Sequence, residues 1–254
     1  MTDAQHIRTP TEYPELAGHR GYPFRYPENT LIGYQAALSV GASMIECDVQ
    51  LTRDLVPVVL HDADFERTAG ANERVFDLRF DELASISVHE PSRFGERYAG
   101  TPVSSLQALL ELVAAFDEVT LLVEIKSESI DHHKLDAVMP VLLNTVSPFV
   151  QQVIVISLHA GALEWLKVNS ELRIGYVIET WDEATRLRAE AMAPELMLCH
   201  HRLVAEVDTL WQGPWEWMLY GVETIELAKS LKARGVAYVE TDDIGGMISA
   251  TGID

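Results

Sequence analysis

Two cysteines, Cys47 and Cys199, are all that the sequence contains, too few for a disulfide framework and without the paired spacing of a thiolate metal cluster. A reducing setting suits such a chain. Cationic side chains are also scarce. Nineteen lysines and arginines stand against thirty-nine acids, a formal net charge of -20, and no local basic patch offsets it, so DNA, RNA and anionic membrane surfaces are repelled. No run approaches the roughly 18 apolar residues of a membrane span. The opening MTDAQHIRTP lacks the basic-then-apolar order of a secretory signal. A cytoplasmic protein with no nucleic-acid partner and no membrane span is expected.

No linker, low-complexity tract or repeat divides the 254 residues, and 48% apolar with 23% charged residues is the composition of a folded chain. That length favours a single domain of barrel or wound-sheet size over 1–254. Nine short apolar runs read as strands: 16–18, 44–49, 56–60, 120–125, 153–158, 173–178, 195–199, 216–220 and 236–240. Helical stretches alternate with them at 30–40, 105–115, 133–144, 182–192 and 223–233. In the first of these Leu31, Tyr34, Ala37 and Leu38 form one stripe, with Asn29 placed to cap it and Gly41 to end it. Strands joined by helices predict parallel βα units, hence a (β/α)8 barrel or an open wound sheet. Nine runs are one more than a barrel needs; the short gap between 44–49 and 56–60 has no room for a crossover helix and predicts a hairpin turning at Arg53, Asp54 and Leu55. The stretch 70–104, punctuated by Gly70, Pro91, Gly95, Gly100 and Pro102 with a helical piece near 80–84, reads as an inserted loop region or small subdomain between barrel units, overhanging the site.

Glu46 and Asp48 stand two apart inside the apolar run IECDV, so a strand puts both carboxylates on one side and Cys47 on the other. Two anions side by side need a cation or basic partner. Glu124 in LLVEIKSE can complete an oxygen ligand set, and hard carboxylates favour Mg²⁺ or Ca²⁺; the competing reading is an Arg/Lys-carboxylate network that stabilises the barrel mouth. His19 and His61 each follow an apolar run, where a strand emits a loop, and imidazole serves as general acid or base near neutrality. Arg20 and Lys126 supply cations suited to a phosphate.

HRG at 19–21, PENT at 27–30, the acids of IECDV, VPVVLHD at 56–62, EIK at 124–126 and the closing GVAYVETDD together resemble, in order, the glycerophosphodiester phosphodiesterase family. The resemblance spans nearly the whole chain, its distinctive matches concentrated in the first half. It implies an α/β fold, the TIM (β/α)8 barrel, and metal-dependent hydrolysis of small-molecule glycerophosphodiesters to glycerol 3-phosphate and an alcohol. By the same resemblance His19 and His61 map onto the acid/base pair, Glu46, Asp48 and Glu124 onto ligands of one divalent cation, and Arg20 and Lys126 onto phosphate contacts.

Three positions depart from the family's pattern. Asp54-Leu55 stands where Asp-Gly is usual, so a different hairpin turn is expected. Glu223 replaces an asparagine, and Ala237-Tyr238 replaces an Asp-Gly. The alternatives are a lysophospholipase D-like enzyme, suggested by Trp211, Trp215 and Trp217, and a phosphate-binding barrel without turnover. His159, His200 and His201 read as loop or local hydrogen-bonding residues, Cys47 and Cys199 as core, Asp62 as a support for the loop after His61, a ligand neighbour or a solvent-facing charge, and Asn29 as a helix cap, a residue steadying the first catalytic loop or a substrate contact.

Overall fold

The computed structural model describes residues 12–252; the MTDAQHIRTP stretch lies outside them. Among the described residues eleven strands are formed: β1 (Glu15–Gly18), β2 (Met44–Leu51), β3 (Pro57–Val59), β4 (Asp64–Phe65), β5 (Ala71–Arg74), β6 (Thr120–Ile125), β7 (Val153–Ser157), β8 (Arg173–Val177), β9 (Leu196–His200), β10 (Glu216–Tyr220) and β11 (Val236–Thr241). Eight of them, β1, β2 and β6 to β11, run parallel in sequence order, and β1 closes the ring by pairing with both β11 and β2. This is a (β/α)8 barrel. The ninth apolar run is β3, antiparallel to β2 with Val49 opposite Val59, the hairpin that the short gap requires.

Strand alternation sorts the side chains into two cores. Ile45, Cys47, Val49 and Leu51 of β2 face outward into the large cluster shared with the helices, as do Leu121, Val123 and Ile125 of β6. Each such burial contributes about 1.5–3 kcal/mol. Facing inward, Ala17, Met44, Leu122, Ile154, Ile156, Val177, Leu196, Leu198 and Met218 fill the barrel. Gly175 of β8 is part of that filling: a Cβ there would meet Ile156 and Leu198 at 2.8 Å each. The plug therefore closes because this one inward position carries no side chain.

The expected hairpin turn needs correction. Leu55 keeps φ at +62° rather than adopting another turn, and the conformation is held by the Leu55 N–H donating to Thr52 O (2.9 Å) and the Thr52 hydroxyl donating to Asp54 Oδ1 (2.7 Å). The first helix, Leu31–Ser39, also starts differently from expectation. Thr30, not Asn29, is its N-cap, accepting from the Gly33 N–H at 3.3 Å; Asn29 is in the left-handed region at φ +54° and serves the site instead. The stretch 133–144 is divided, Ser127–His133 ending one helix and Leu135–Val146 forming the next. Between β3 and β6 lies the small β4–β5 hairpin with 3₁₀ turns, gathered on Val58, Leu60, Phe65, Val75, Phe76, Leu83, Val88 and Val103.

From β9 to β10 the chain crosses by a 3₁₀ turn, His201–Val204, and an irregular segment. Tryptophans cover the barrel there. Trp181 stacks on Trp211 at 3.8 Å, and the indole N–H groups of Trp215 and Trp217 both donate to Trp211 O. Trp215 and Trp217 are buried in the outer core, which makes them packing residues. Among the described residues no helix is long and apolar enough to cross a membrane.

Candidate active site

The site forms at the carboxyl ends of the barrel strands. On β2 and β6, Asp48 is in register with Glu124; alternation turns Glu46, Asp48 and Glu124 inward, above the plug. One ligand atom from each of the three lies within 4.8 Å of the others. Glu46 Oε2 accepts from the Arg20 N–H at 3.0 Å, whereas Oε1 is buried with no hydrogen-bond partner. Such an orphan oxygen, in a set of hard oxygen donors, fits a divalent cation.

Burial first, then Asp48, Glu240 and Glu124, pushes the Glu46 carboxyl well above the usual range. Burial works in the same direction on Asp48 but is overcome by Arg20 and then Lys126, which hold it well below that range. Arg20 Nε lies 2.9 Å from Asp48 Oδ2, and Lys126 Nζ lies 3.3 Å from Asp48 Oδ1 and 3.0 Å from Glu124 Oε1. The cations thus neutralise part of the acidic cluster, as the competing sequence reading had it, and they stand beside the ligand set at the same time. Asn29 completes the frame: its Nδ2 donates to Asp48 Oδ2 (2.9 Å), and its Oδ1 accepts from the Asp48 N–H (3.2 Å) and the Tyr34 hydroxyl (2.7 Å).

Arg20 sits in a tight loop at φ +50°, a conformation that costs about 1–2 kcal/mol for a residue with a Cβ. Neighbouring contacts fix it. Gly18 packs so closely under this loop that a Cβ would come within 2.5 Å of the Gly21 carbonyl oxygen, and Arg20 Nη1 donates to Glu28 Oε1 at 3.0 Å.

His19 and His61 open onto the same pocket as Arg20, Glu46, Glu124 and Lys126, with a volume of about 290 Å³. Each is held by its Nδ1, His19 at 2.7 Å from Asp242 Oδ1 and His61 at 2.7 Å from Asp62 Oδ1. A carboxylate can only accept, so Nδ1 carries the proton and Nε2 is left for a ligand. Burial opposes charge on His19, but the Asp242 bond and Glu240 outweigh it and raise its pKa.

Two site residues, Glu28 and Glu240, escaped the sequence reading. Glu28, buried, takes two bonds of 2.6 Å from Arg67, whose Nε donates to Asp62 Oδ2 at 2.7 Å, so a charged chain links Arg20 to His61. The only signal was its place in PENT. Glu240 lies two before Asp242, inside an apolar run like Glu46, and lines the pocket; burial, strengthened by Glu124 and Asp48 and opposed by His19, pushes its carboxyl up to about 7. Glu223 faces the same end of the chain: it accepts from the Thr241 hydroxyl (3.0 Å) and the Asp242 N–H (3.2 Å), fixing the segment that orients His19. His159 and His200 act locally, accepting from the N–H groups of Ala162 and Arg202, and His201 opens the adjoining 3₁₀ turn.

A glycerophosphodiester phosphodiesterase from Caldanaerobacter subterraneus subsp. tengcongensis is 30% identical over 185 residues, 70% of this chain and 74% of that protein. A lysophospholipase D from Rattus norvegicus is 34% identical over 110 residues, 42% of this chain and 35% of that protein. Among solved structures, an Oleispira antarctica phosphodiesterase in complex with the product sn-glycerol-3-phosphate superposes with a TM-score of 0.82 at 22% identity, covering 95% of this chain and 98% of that one. The Glycerophosphoryl diester phosphodiesterase family profile matches residues 19–246, which include every pocket residue described above. The chain belongs to that family.

Proposed function

We propose that this protein hydrolyses glycerophosphodiesters to glycerol 3-phosphate and an alcohol, with one divalent cation, Mg²⁺ or Ca²⁺, held by Glu46, Asp48 and Glu124. The observation that carries this reading is the pair of imidazoles, each anchored through Nδ1 on an aspartate, opening onto one pocket with Glu46 and Glu124, which cluster with the buried Asp48. The matched family and the product-bound Oleispira antarctica structure support it.

When bound, the cation supplies Lewis-acid neutralisation of phosphate charge and orients the diester. Arg20 and Lys126 add positive charge where negative charge grows on the phosphoryl oxygens. One imidazole takes the proton from the attacking hydroxyl at its free Nε2; the other gives a proton to the oxygen of the departing alcohol as the P–O bond breaks. The attacking hydroxyl is either water or a glycerol hydroxyl that first closes a cyclic ester. Asp62 and Asp242 keep each ring turned and in the tautomer that this exchange needs. The described barrel serves as one catalytic unit, and two buried, unbridged cysteines suit a cytoplasmic enzyme.

Release of glycerol 3-phosphate from glycerophosphocholine or glycerophosphoethanolamine, before and after EDTA and with Mg²⁺ or Ca²⁺ restored, tests the reading. Turnover that survives exhaustive metal removal would defeat it. The lysophospholipase alternative loses its motivation, because the tryptophans pack outside the barrel; lysophospholipids are expected to be the poorer substrates in the same assay.

A further inference from the structure

Glu240 is an acid without an assigned task at the floor of the pocket. It stands on β11 in register with Ala17, one of the residues that plug the barrel, and alternation turns it inward. It is 4% exposed, and its Oε1 is buried with no hydrogen-bond partner. Asp48, Glu124, His19 and Arg20 are near enough to act on its charge, yet none of them donates to it. A buried acceptor left without a donor costs about 1–3 kcal/mol, more when charged. That cost is removed when a ligand brings the donor.

The proposed substrates limit what the donor can be. A phosphodiester carries no proton at neutral pH, and a quaternary ammonium alcohol has no N–H. The donors common to all glycerophosphodiesters are the two free hydroxyls of the glycerol unit. Ile156, Leu158, Val177 and Leu198 of the pocket lining offer no side-chain acceptor, and of the further acceptors Glu128, Glu179 and Tyr220 none is buried as Glu240 is, with an oxygen left without a partner. We infer that Glu240 is a substrate-binding residue whose carboxyl accepts a hydrogen bond from a glycerol hydroxyl, and so selects the glycerol unit. This rests on the glycerophosphodiester reading. A carboxyl keeps acceptor capacity whether or not it is ionised.

The test is calorimetric binding of sn-glycerol 3-phosphate and its two monodeoxy analogues, propane-1,3-diol monophosphate and propane-1,2-diol 1-phosphate, to the Mg²⁺-loaded protein. In the unmodified protein one analogue is expected to bind about 10- to 100-fold more weakly than glycerol 3-phosphate, the range of a hydrogen bond to a charged group. Glu240→Met should lose the same factor for glycerol 3-phosphate and cease to discriminate when both proteins are compared at saturating Mg²⁺. Glu240→Gln, which keeps an acceptor, should retain part of the discrimination and stands in if the methionine variant fails to fold. Full discrimination in Glu240→Met, none in the unmodified protein, or a loss of affinity that saturating Mg²⁺ removes overturns the assignment. Turnover of glycerophosphocholine by the unmodified protein is measured alongside: turnover without discrimination removes only Glu240, and discrimination without turnover removes only the hydrolytic reading.

Discussion

His19 and His61 reach the pocket from different loops and are steadied alike, each by an aspartate 2.7 Å from Nδ1. Neither ring can supply its proton to a ligand from that side, so function depends on Nε2. Substitution of either histidine by alanine is expected to slow the chemical step by about 10²- to 10⁴-fold, read by single-turnover kinetics in variants whose melting temperature is retained. Loss below tenfold at both positions contradicts the acid/base assignment. The aspartates act one step removed: Asp62→Asn should lower kcat less than loss of His61 itself, and the double variant should be no worse than the histidine variant, because the two residues act as one unit.

At the scale of elements, the loop after β1 is the part most finely fitted. Gly18 lies against the carbonyl of Gly21, and Arg20 and Asn29 both hold positive φ. Strained residues of this kind persist where surrounding contacts over-determine them; here those contacts are Glu28, Asp48 and Tyr34. Gly18→Ala inserts a methyl 2.5 Å from that carbonyl oxygen, which the backbone can relieve only by moving Arg20. Destabilisation of about 1–3 kcal/mol by urea unfolding is expected, with a fall in kcat/KM at temperatures where the variant is folded. Unchanged activity would show that the loop tolerates displacement. Gly175→Val makes a useful contrast, since it overfills the barrel plug below the pocket: stability should fall by a similar amount.

The whole molecule balances two sets of carboxyls with opposite pH dependence. Glu28, Asp62 and Asp242 are buried enough to be raised, but Arg67 and Arg20, His61 and Arg67, and His19 respectively hold them below their ordinary values. Their stabilisation is present above those ordinary values and is lost as pH falls through the lowered ones. Glu46, Glu124 and Glu240 are raised, burial being the first cause in each. In the folded chain they bind protons that the unfolded chain has released, so metal-free stability should rise as pH falls from neutrality, then drop as the first set is protonated. A maximum at about pH 5 is expected for the metal-free protein, measured as the urea midpoint across pH; a steady rise from pH 5 to 8 contradicts it. Mg²⁺ or Ca²⁺ should flatten the neutral limb and, at a hundredfold excess over its dissociation constant, add about 2.7 kcal/mol. EDTA should reverse both effects.

Much of this was written in local pattern. Period-two alternation in IECDV fixes which side of a strand Glu46 and Asp48 share, whatever the strand's neighbours, and the gap of a few residues after β2 forces a hairpin because no crossover fits within it. HRG and EIK could be located for the same reason, each lying where an apolar run ends. The residues that were missed depend on contacts far apart in the chain. Glu28 looked like part of a helix-entry motif and proves to bridge Arg20 with Arg67, 39 residues further on. Asn29 looked like a cap because it precedes a helix, but Asp48 and Tyr34 compete for its amide and Thr30 takes the cap. Glu240 was passed over because a lone acid in a closing strand has no local sign of what it faces. Sequence by itself determined the barrel strands and the β3 hairpin, their facing sides and the order of the chemical groups, since these follow from backbone periodicity and short-range sterics. Only closure of the barrel, which brings β11 beside β1 and β1 beside β2, decided which of those groups share a pocket, because electrostatic and hydrogen-bond energies depend on distance in space and not on separation along the chain.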